Sequence, residues 1–249
     1  YIAKGGDLFR FFAELLGRSD GCCMGRGGSM HIFDDSVGFL GSVPIVGSSL
    51  PIASGVALAE KQVGSGNIVV AFLGDAVVET GQFHEALNLI SLWKLPILIV
   101  IEDNGYSTYA NKKVRQSSNL KLQEIVKGFG LNFTELSGDN ALHVKNVSFD
   151  LVKTVREQNP QVVKFDTFRV FEHCGPNIDD NLGYRSKEEI ISYADRDPLN
   201  IIKLIDKVKE RPLDWKNIDT QIKTEVMNAF ERALLSPFAG NEEASNDVA

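Results

Sequence analysis

Gly74-Asp75-Ala76 closes an apolar run at residues 68–73, and Glu102-Asp103-Asn104-Gly105-Tyr106 closes a second run at residues 97–101. If the two runs are parallel strands, an acid and an amide at their carboxyl ends converge their oxygens on one crevice, where open α/β sheets bind ligands. Asp75 offers a hard anionic oxygen and Asn104 a neutral one. With the Tyr106 main-chain carbonyl, two diphosphate oxygens and water, these donors complete the near-octahedral shell that Mg2+ demands. A Gly-Asp pair alone is common in turns, so the reading rests on the two runs answering each other.

The elements around these positions alternate. Residues 7–16 have helical spacing, 25–31 are too glycine-rich for regular structure and long enough to fold around a ligand, and 38–51 read as irregular. Then come a helix at 52–62, a strand at 68–73, a helix at 79–93 and a strand at 97–101. The second strand is unbroken apolar sequence, as expected for burial on both faces of a parallel sheet. A short helix at 122–128, a strand at 132–136, a helix at 142–158 and a strand at 161–168 continue the alternation. The pattern predicts an α/β fold, a doubly wound and mostly parallel sheet over residues 1–183. Residues 184–249 read as a helical C-terminal extension, with helices at 187–194, 198–210 and 214–235 and a polar tail from Gly240.

A chain of 249 residues with 43% hydrophobic content can build a sizeable core, and a formal charge of −7 leaves no broad basic surface for nucleic acid. The three cysteines form no CxxC pair and read as reduced thiols. No apolar stretch reaches the roughly 18 residues of a membrane span. A cytoplasmic protein without membrane or nucleic-acid partners is expected.

The run Gly74-Asp75-Ala76-Val77-Val78-Glu79-Thr80-Gly81-Gln82-Phe83-His84-Glu85-Ala86-Leu87-Asn88 is followed by Leu92-Trp93-Lys94-Leu95-Pro96 and then Glu102 to Ser107. As one continuous pattern it resembles the thiamine diphosphate-binding motif. More narrowly it is similar to alpha subunits of the decarboxylating component of 2-oxo acid dehydrogenase complexes, the family of pyruvate, branched-chain and acetoin dehydrogenases. Gly27-Gly28-Ser29-Met30-His31 matches that family's glycine-rich loop, Ile45-Val46-Gly47 its pyrimidine-contacting segment, and Thr167-Phe168-Arg169 through His173 its active-site loop. The resemblance therefore runs nearly end to end.

It implies a thiamine diphosphate fold in which Asp75, Asn104 and the Tyr106 carbonyl bind Mg2+. Gly74, Ala76, Val77 and Ser107 would surround the diphosphate, with Val46 against the pyrimidine. His173 would contact the diphosphate region and protonate reacting groups, with His31 as a second catalytic candidate; both lie in irregular loops, whereas His84 and His143 read as structural. Arg169 would grip a phosphate or carboxylate, or organise its loop through a carbonyl or Asp179. The resemblance implies oxidative decarboxylation of a 2-oxo acid with acyl transfer to lipoamide. The partners that the resemblance implies are a beta subunit supplying the activating glutamate, in an assembly of two alpha and two beta chains, and a lipoyl-bearing acyltransferase.

Two departures matter. The family usually has Gly-Asp-Gly where this chain has Ala76, and a positive φ there would cost about 1 kcal/mol. The chain also starts just after the place where family members carry a Tyr-Arg pair on the diphosphate, so an N-terminally truncated alpha subunit is expected. These departures support one alternative, a catalytically silent scaffold subunit. A nicotinamide-binding dehydrogenase domain, the other alternative, needs GxGxxG between a strand and its helix, and Gly25-Arg26-Gly27-Gly28 precedes no such helix.

Overall fold

The computed structural model describes residues 1–194 and 196–240, so the polar tail expected from Gly240 lies outside the described residues. The chain forms two compact units, Tyr1–Pro44 with the described residues from Leu213 on, and Ile45–Pro212.

The first unit is built on α1 (Leu8–Leu15), whose start is capped by the Asp7 side chain accepting from Phe9 and Arg10 main-chain N–H groups. In the second unit α2 (Ser49–Val63) leads to β1 (Val69–Gly74). This helix starts earlier than expected because Pro51 falls in its first turn, where its missing N–H has no helical partner to lose. A 3-10 turn over Asp75–Glu79 follows β1, and α3 (Gly81–Trp93) begins only after Thr80, whose side chain accepts from the Phe83 N–H at 3.3 Å. The helix expected from residue 79 is thus a tight turn and then a capped helix.

Next come β2 (Ile97–Asp103), the small hairpin of β3 (Tyr106–Ser107) and β4 (Ala110–Asn111), and the single-turn α4 (Lys112–Arg115). The hairpin and α4 went unanticipated because neither is long enough to show a period. The unit continues through α5 (Leu122–Gly128), β5 (Asn132–Ser137), α6 (Ala141–Arg156) and β6 (Gln161–Asp166). It ends with α7 (Lys187–Ala194) and α8 (Pro198–Lys207). The last strand is shorter than the expected 161–168: its ladder closes with the Thr167 N–H donating to the Asp103 carbonyl at 2.8 Å, and its strand pairing ends at Asp166.

The main sheet has the order β1-β2-β6-β5 with every pair parallel. Ile97, Ile99 and Ile101 of β2 face a core filled from α2, α3 and α5 by Leu50, Phe83, Leu87, Ile90 and Val126. Leu98 and Val100 face the opposite core, where α6 supplies Leu151 and Val155. Helices on both faces explain why β2 is apolar at every core position.

α3 ends on Lys94, a non-glycine residue in the left-handed region at φ 46°. Its Cβ is strained there, so Lys94→Gly is expected to stabilise the protein by about 0.5–1 kcal/mol, read as a higher urea midpoint. A lower midpoint would mean that the lysine side chain contributes more than its backbone conformation costs.

In the first unit α1 meets α9 (Trp215–Leu235), with Phe12 and Phe230 edge to face at 5.5 Å and Ala13 and Ala233 buried. The Arg18 guanidinium lies 3.7 Å from the Phe238 ring centre and donates to the Ser236 carbonyl. The two units therefore divide the chain elsewhere than at 183/184: α7 and α8 go with the sheet, while α9 covers the apolar face of α1. Among the described residues no helix is long and apolar enough to cross a membrane.

Candidate functional site

The register sets Asp75 and Asn104, two of the expected donors, at the ends of neighbouring strands. Gly74 of β1 pairs with Glu102 of the parallel β2, so Asp75 emerges level with Asp103 and Asn104 follows one step on. The chain turns at once: the Asp103 carboxylate accepts from the Gly105 N–H at 3.0 Å and the Asn104 side-chain oxygen from the Tyr106 N–H at 2.9 Å. These successive side-chain-to-backbone turns need positive φ at Gly105, which is at 78°. Asn104 Oδ1 keeps a second lone pair for a cation.

Asp75 is 3% exposed. Arg115 of α4 donates from Nη2 to its Oδ2 at 2.6 Å, pairs also with Glu79, and is held by the Ala110 carbonyl on Nε at 3.0 Å. Burial pushes the Asp75 carboxyl above its ordinary range, the Arg115 guanidinium pulls it back, and the neighbouring Asp103 charge adds to the rise. Sequence reasoning missed Arg115. The one signal was the basic run Lys112-Lys113-Val114-Arg115 shortly after the acidic pair Glu102-Asp103.

Burial would also raise Asp103, but Lys112 at 2.6 Å and Lys164 at 3.3 Å outweigh it and hold its carboxyl below the ordinary range. Lys164 sits inside β6 only 8% exposed, an unusual place for a lysine. Burial opposes its charge, yet Asp166 at 2.7 Å, Glu135 at 2.8 Å and Asp103 keep it protonated beyond the ordinary lysine range.

A cavity of about 490 Å3 opens beside these strand ends, lined by Asp103, Asn104, Tyr106, Lys112, Gln116 and Thr167 among others. That volume suits a small ligand. The Tyr106 hydroxyl donates to Glu189 at 2.8 Å, and its ring packs edge to face on Tyr184 at 5.1 Å. Burial and Glu189 raise the Tyr106 phenol pKa, so the hydroxyl stays a donor. Ser107 follows in β3, half-buried.

Ala76 and Val77 lie within the Asp75–Glu79 turn, and Ala76 is not among the residues with positive φ. The strain considered for Ala76 therefore does not arise. Val46 is exposed, but its neighbour Gly47 sits against Thr80: a Cβ on Gly47 would come 2.7 Å from Thr80 Oγ1. The segment before α2 is thereby tied to the turn that carries Asp75.

The histidines stand apart. His173 is exposed in the turn of a loop pinched by the bridge between Phe171 and Ile178, without a hydrogen bond to Asp75 or Asn104. Arg169 organises that loop, donating from Nη2 to the Thr108 carbonyl at 3.0 Å, the Tyr184 hydroxyl at 3.1 Å and Asp179 at 3.4 Å. Of its two expected roles, the structure shows the second.

His31 belongs to the first unit and is exposed. The glycine-rich loop before it folds around the chain's own Glu14, not around open space for a ligand. Glu14 Oε2 accepts from the Cys23 and Gly25 N–H groups, and Oε1 from Gly27 and Gly28, at 2.6–3.1 Å. The expected ligand-wrapping role is corrected accordingly: a buried carboxylate already fills the concavity.

The description "Dehydrogenase E1 component" matches residues 1–241. The chain belongs to the dehydrogenase E1 component family. Among relatives of this E1 chain, the pyruvate dehydrogenase E1 component subunit alpha of Rickettsia felis is 37% identical over 95% of this chain and 72% of its own length. The mitochondrial subunit of the same name from Pisum sativum is 31% identical over 100% of this chain and 62% of its own. Among solved structures, a transketolase of Pichia stipitis matches at a TM-score of 0.50 and 17% identity, over 78% of the E1 chain and 29% of its own. The likeness to transketolase concerns the fold alone.

Proposed function

We propose that Asp75, Asn104 and the Tyr106 carbonyl hold Mg2+ on the diphosphate of thiamine diphosphate in this E1 chain. Membership of the E1 family makes the chain the alpha component of a thiamine diphosphate-dependent oxidoreductase acting on 2-oxo acids. The observation that carries the metal reading is the register of β1 on β2, which puts a buried carboxylate and an amide oxygen on neighbouring strand ends. The donors are all hard oxygens, and Asp75, raised by burial and by Asp103, gains from added positive charge. They fit a hard divalent cation.

When bound, thiamine diphosphate supplies the electron sink for decarboxylation. Gly74, Ala76, Val77 and Ser107 would lie along the diphosphate, with backbone N–H groups of the Asp75–Glu79 turn directed at its oxygens. Val46 would meet the pyrimidine. Lys112 keeps Asp103 ionised and so braces the turn that presents Asn104. His173, on its exposed loop, would protonate or orient the substrate once the loop meets the bound cofactor, with His31 as a second candidate. A beta subunit is the partner the family implies. We propose that it supplies the activating glutamate in an assembly of two alpha and two beta chains. Pyruvate is the substrate in the relatives' names, and this chain would act on pyruvate or a close 2-oxo acid, passing the acyl unit to a lipoyl-bearing acyltransferase in the cytoplasm.

The test is to co-express the complete alpha chain with its beta subunit and titrate thiamine diphosphate by calorimetry with and without Mg2+. Carbon dioxide release is then assayed over a panel of 2-oxo acids. Saturable binding that requires Mg2+, with turnover of one acid, is expected. Assembly of the heteromer without cofactor uptake would replace the reading with a scaffold role.

A further inference from the structure

We propose that Arg115 is a positioning residue that presents Asp75 to metal through one oxygen and thereby sets the site's preference for Mg2+ over Ca2+. The inference rests on the proposed Mg2+-diphosphate reading and deepens it.

Arg115 is tied on three sides: Nη2 to Asp75 Oδ2 at 2.6 Å, Nη1 to Glu79, and Nε to the Ala110 carbonyl at 3.0 Å. Gln116 braces the same Glu79 oxygen at 2.8 Å. The Arg115 side chain is 11% exposed and that of Asp75 4%, so the pair is screened little by water. A guanidinium held at three points stays on its oxygen when a second cation arrives. Asp75 Oδ1, which receives no hydrogen bond among the described residues, is then the one oxygen left to a metal.

That restraint separates the two ions. Mg2+ takes six ligands at about 2.0–2.1 Å and is served by a carboxylate bound through one oxygen. Ca2+ takes six to eight ligands at about 2.3–2.6 Å and gains from bidentate carboxylates. Denying Asp75 its second oxygen costs Mg2+ nothing and costs Ca2+ a ligand.

The experiment uses the complete alpha chain with its beta subunit and measures thiamine diphosphate dissociation constants by calorimetry, with Mg2+ or Ca2+ as the only divalent ion. Arg115→Met is expected to move the Ca2+-to-Mg2+ ratio of dissociation constants toward Ca2+ by about tenfold or more, the scale at which groups behind metal ligands act. Arg115→Lys, which keeps the charge on one donor, should shift it less. Glu79→Ala, which loosens the arginine without touching Asp75, should shift it in the same direction and decides the matter if Arg115→Met does not fold. A ratio in Arg115→Met, or in Glu79→Ala in its place, within about twofold of wild type overturns the inference. So does tighter binding of both ions at an unchanged ratio, which would make Arg115 a simple competitor. Loss of Mg2+-dependent binding in the wild-type complex would instead remove the underlying reading.

Discussion

Replacing Asp75 by asparagine is expected to weaken Mg2+-dependent binding of thiamine diphosphate by roughly 100-fold or more, about 2.7 kcal/mol. The reason lies in how the two carboxylate oxygens are used. Oδ2 is held by Arg115 at 2.6 Å, and the other oxygen receives no hydrogen bond among the described residues, which leaves it for the proposed metal. An asparagine has one oxygen. Arg115 would claim it and leave an amide NH2, a donor, toward the metal. Asparagine keeps the volume and a partner for the guanidinium, so the fold should persist. Alanine would leave a largely buried arginine with Glu79 as its one remaining carboxylate beside the Ala110 carbonyl, and would cost stability of about 3 kcal/mol or more as well as binding. Calorimetric titration of the alpha–beta complex at fixed Mg2+ measures the effect, and an affinity for Asp75→Asn within about threefold of wild type would remove Asp75 from the metal site.

The second large effect concerns stability. Glu14→Gln is expected to destabilise the protein by about 3–5 kcal/mol and lower Tm by roughly 10 °C in a scanning calorimeter. Glu14 is fully buried and its two oxygens accept four main-chain N–H groups of the loop from Cys23 to Gly28. A glutamine retains one oxygen for two of these donors and points its own NH2 at the other two, leaving them unpaired in the interior. The glycines are needed for the wrapping: Gly25 and Gly28 have φ of 74° and 58°, and a Cβ on Gly21 would come 2.3 Å from Glu14 Oε2. A Tm within about 2 °C of wild type would show that the loop finds other acceptors.

Glu14 also shows where reading the chain stops. Gly25-Arg26-Gly27-Gly28 read as a backbone able to fold around a ligand, and it folds instead around an anion of the chain itself. Nothing in the local pattern said that the anion would be a glutamate on the preceding helix. The histidines give the opposite lesson. Irregular surroundings marked His31 and His173 as unlike core residues, and both are exposed, but loop position carries no information about which atoms they will meet. Arg115 was invisible for a further reason: its partner Asp75 lies 40 positions away, across a hairpin and a single-turn helix too short to have a period.

Hydrophobic periodicity was enough for the sheet. Continuous apolar sequence in β2 meant burial on both faces, strand–helix alternation meant parallel pairing, and together they put Asp75 and Asn104 at neighbouring carboxyl ends. These are local properties, carried by each segment wherever it packs. Tertiary structure alone decided the charges: Arg115 on Asp75, Lys112 and Lys164 on Asp103, four amides on Glu14, and α9 with α1 instead of with the helices before it. Each of these joins residues beyond the reach of a single helical turn or strand alternation, and which partner a buried charge finds depends on the fold that buries it.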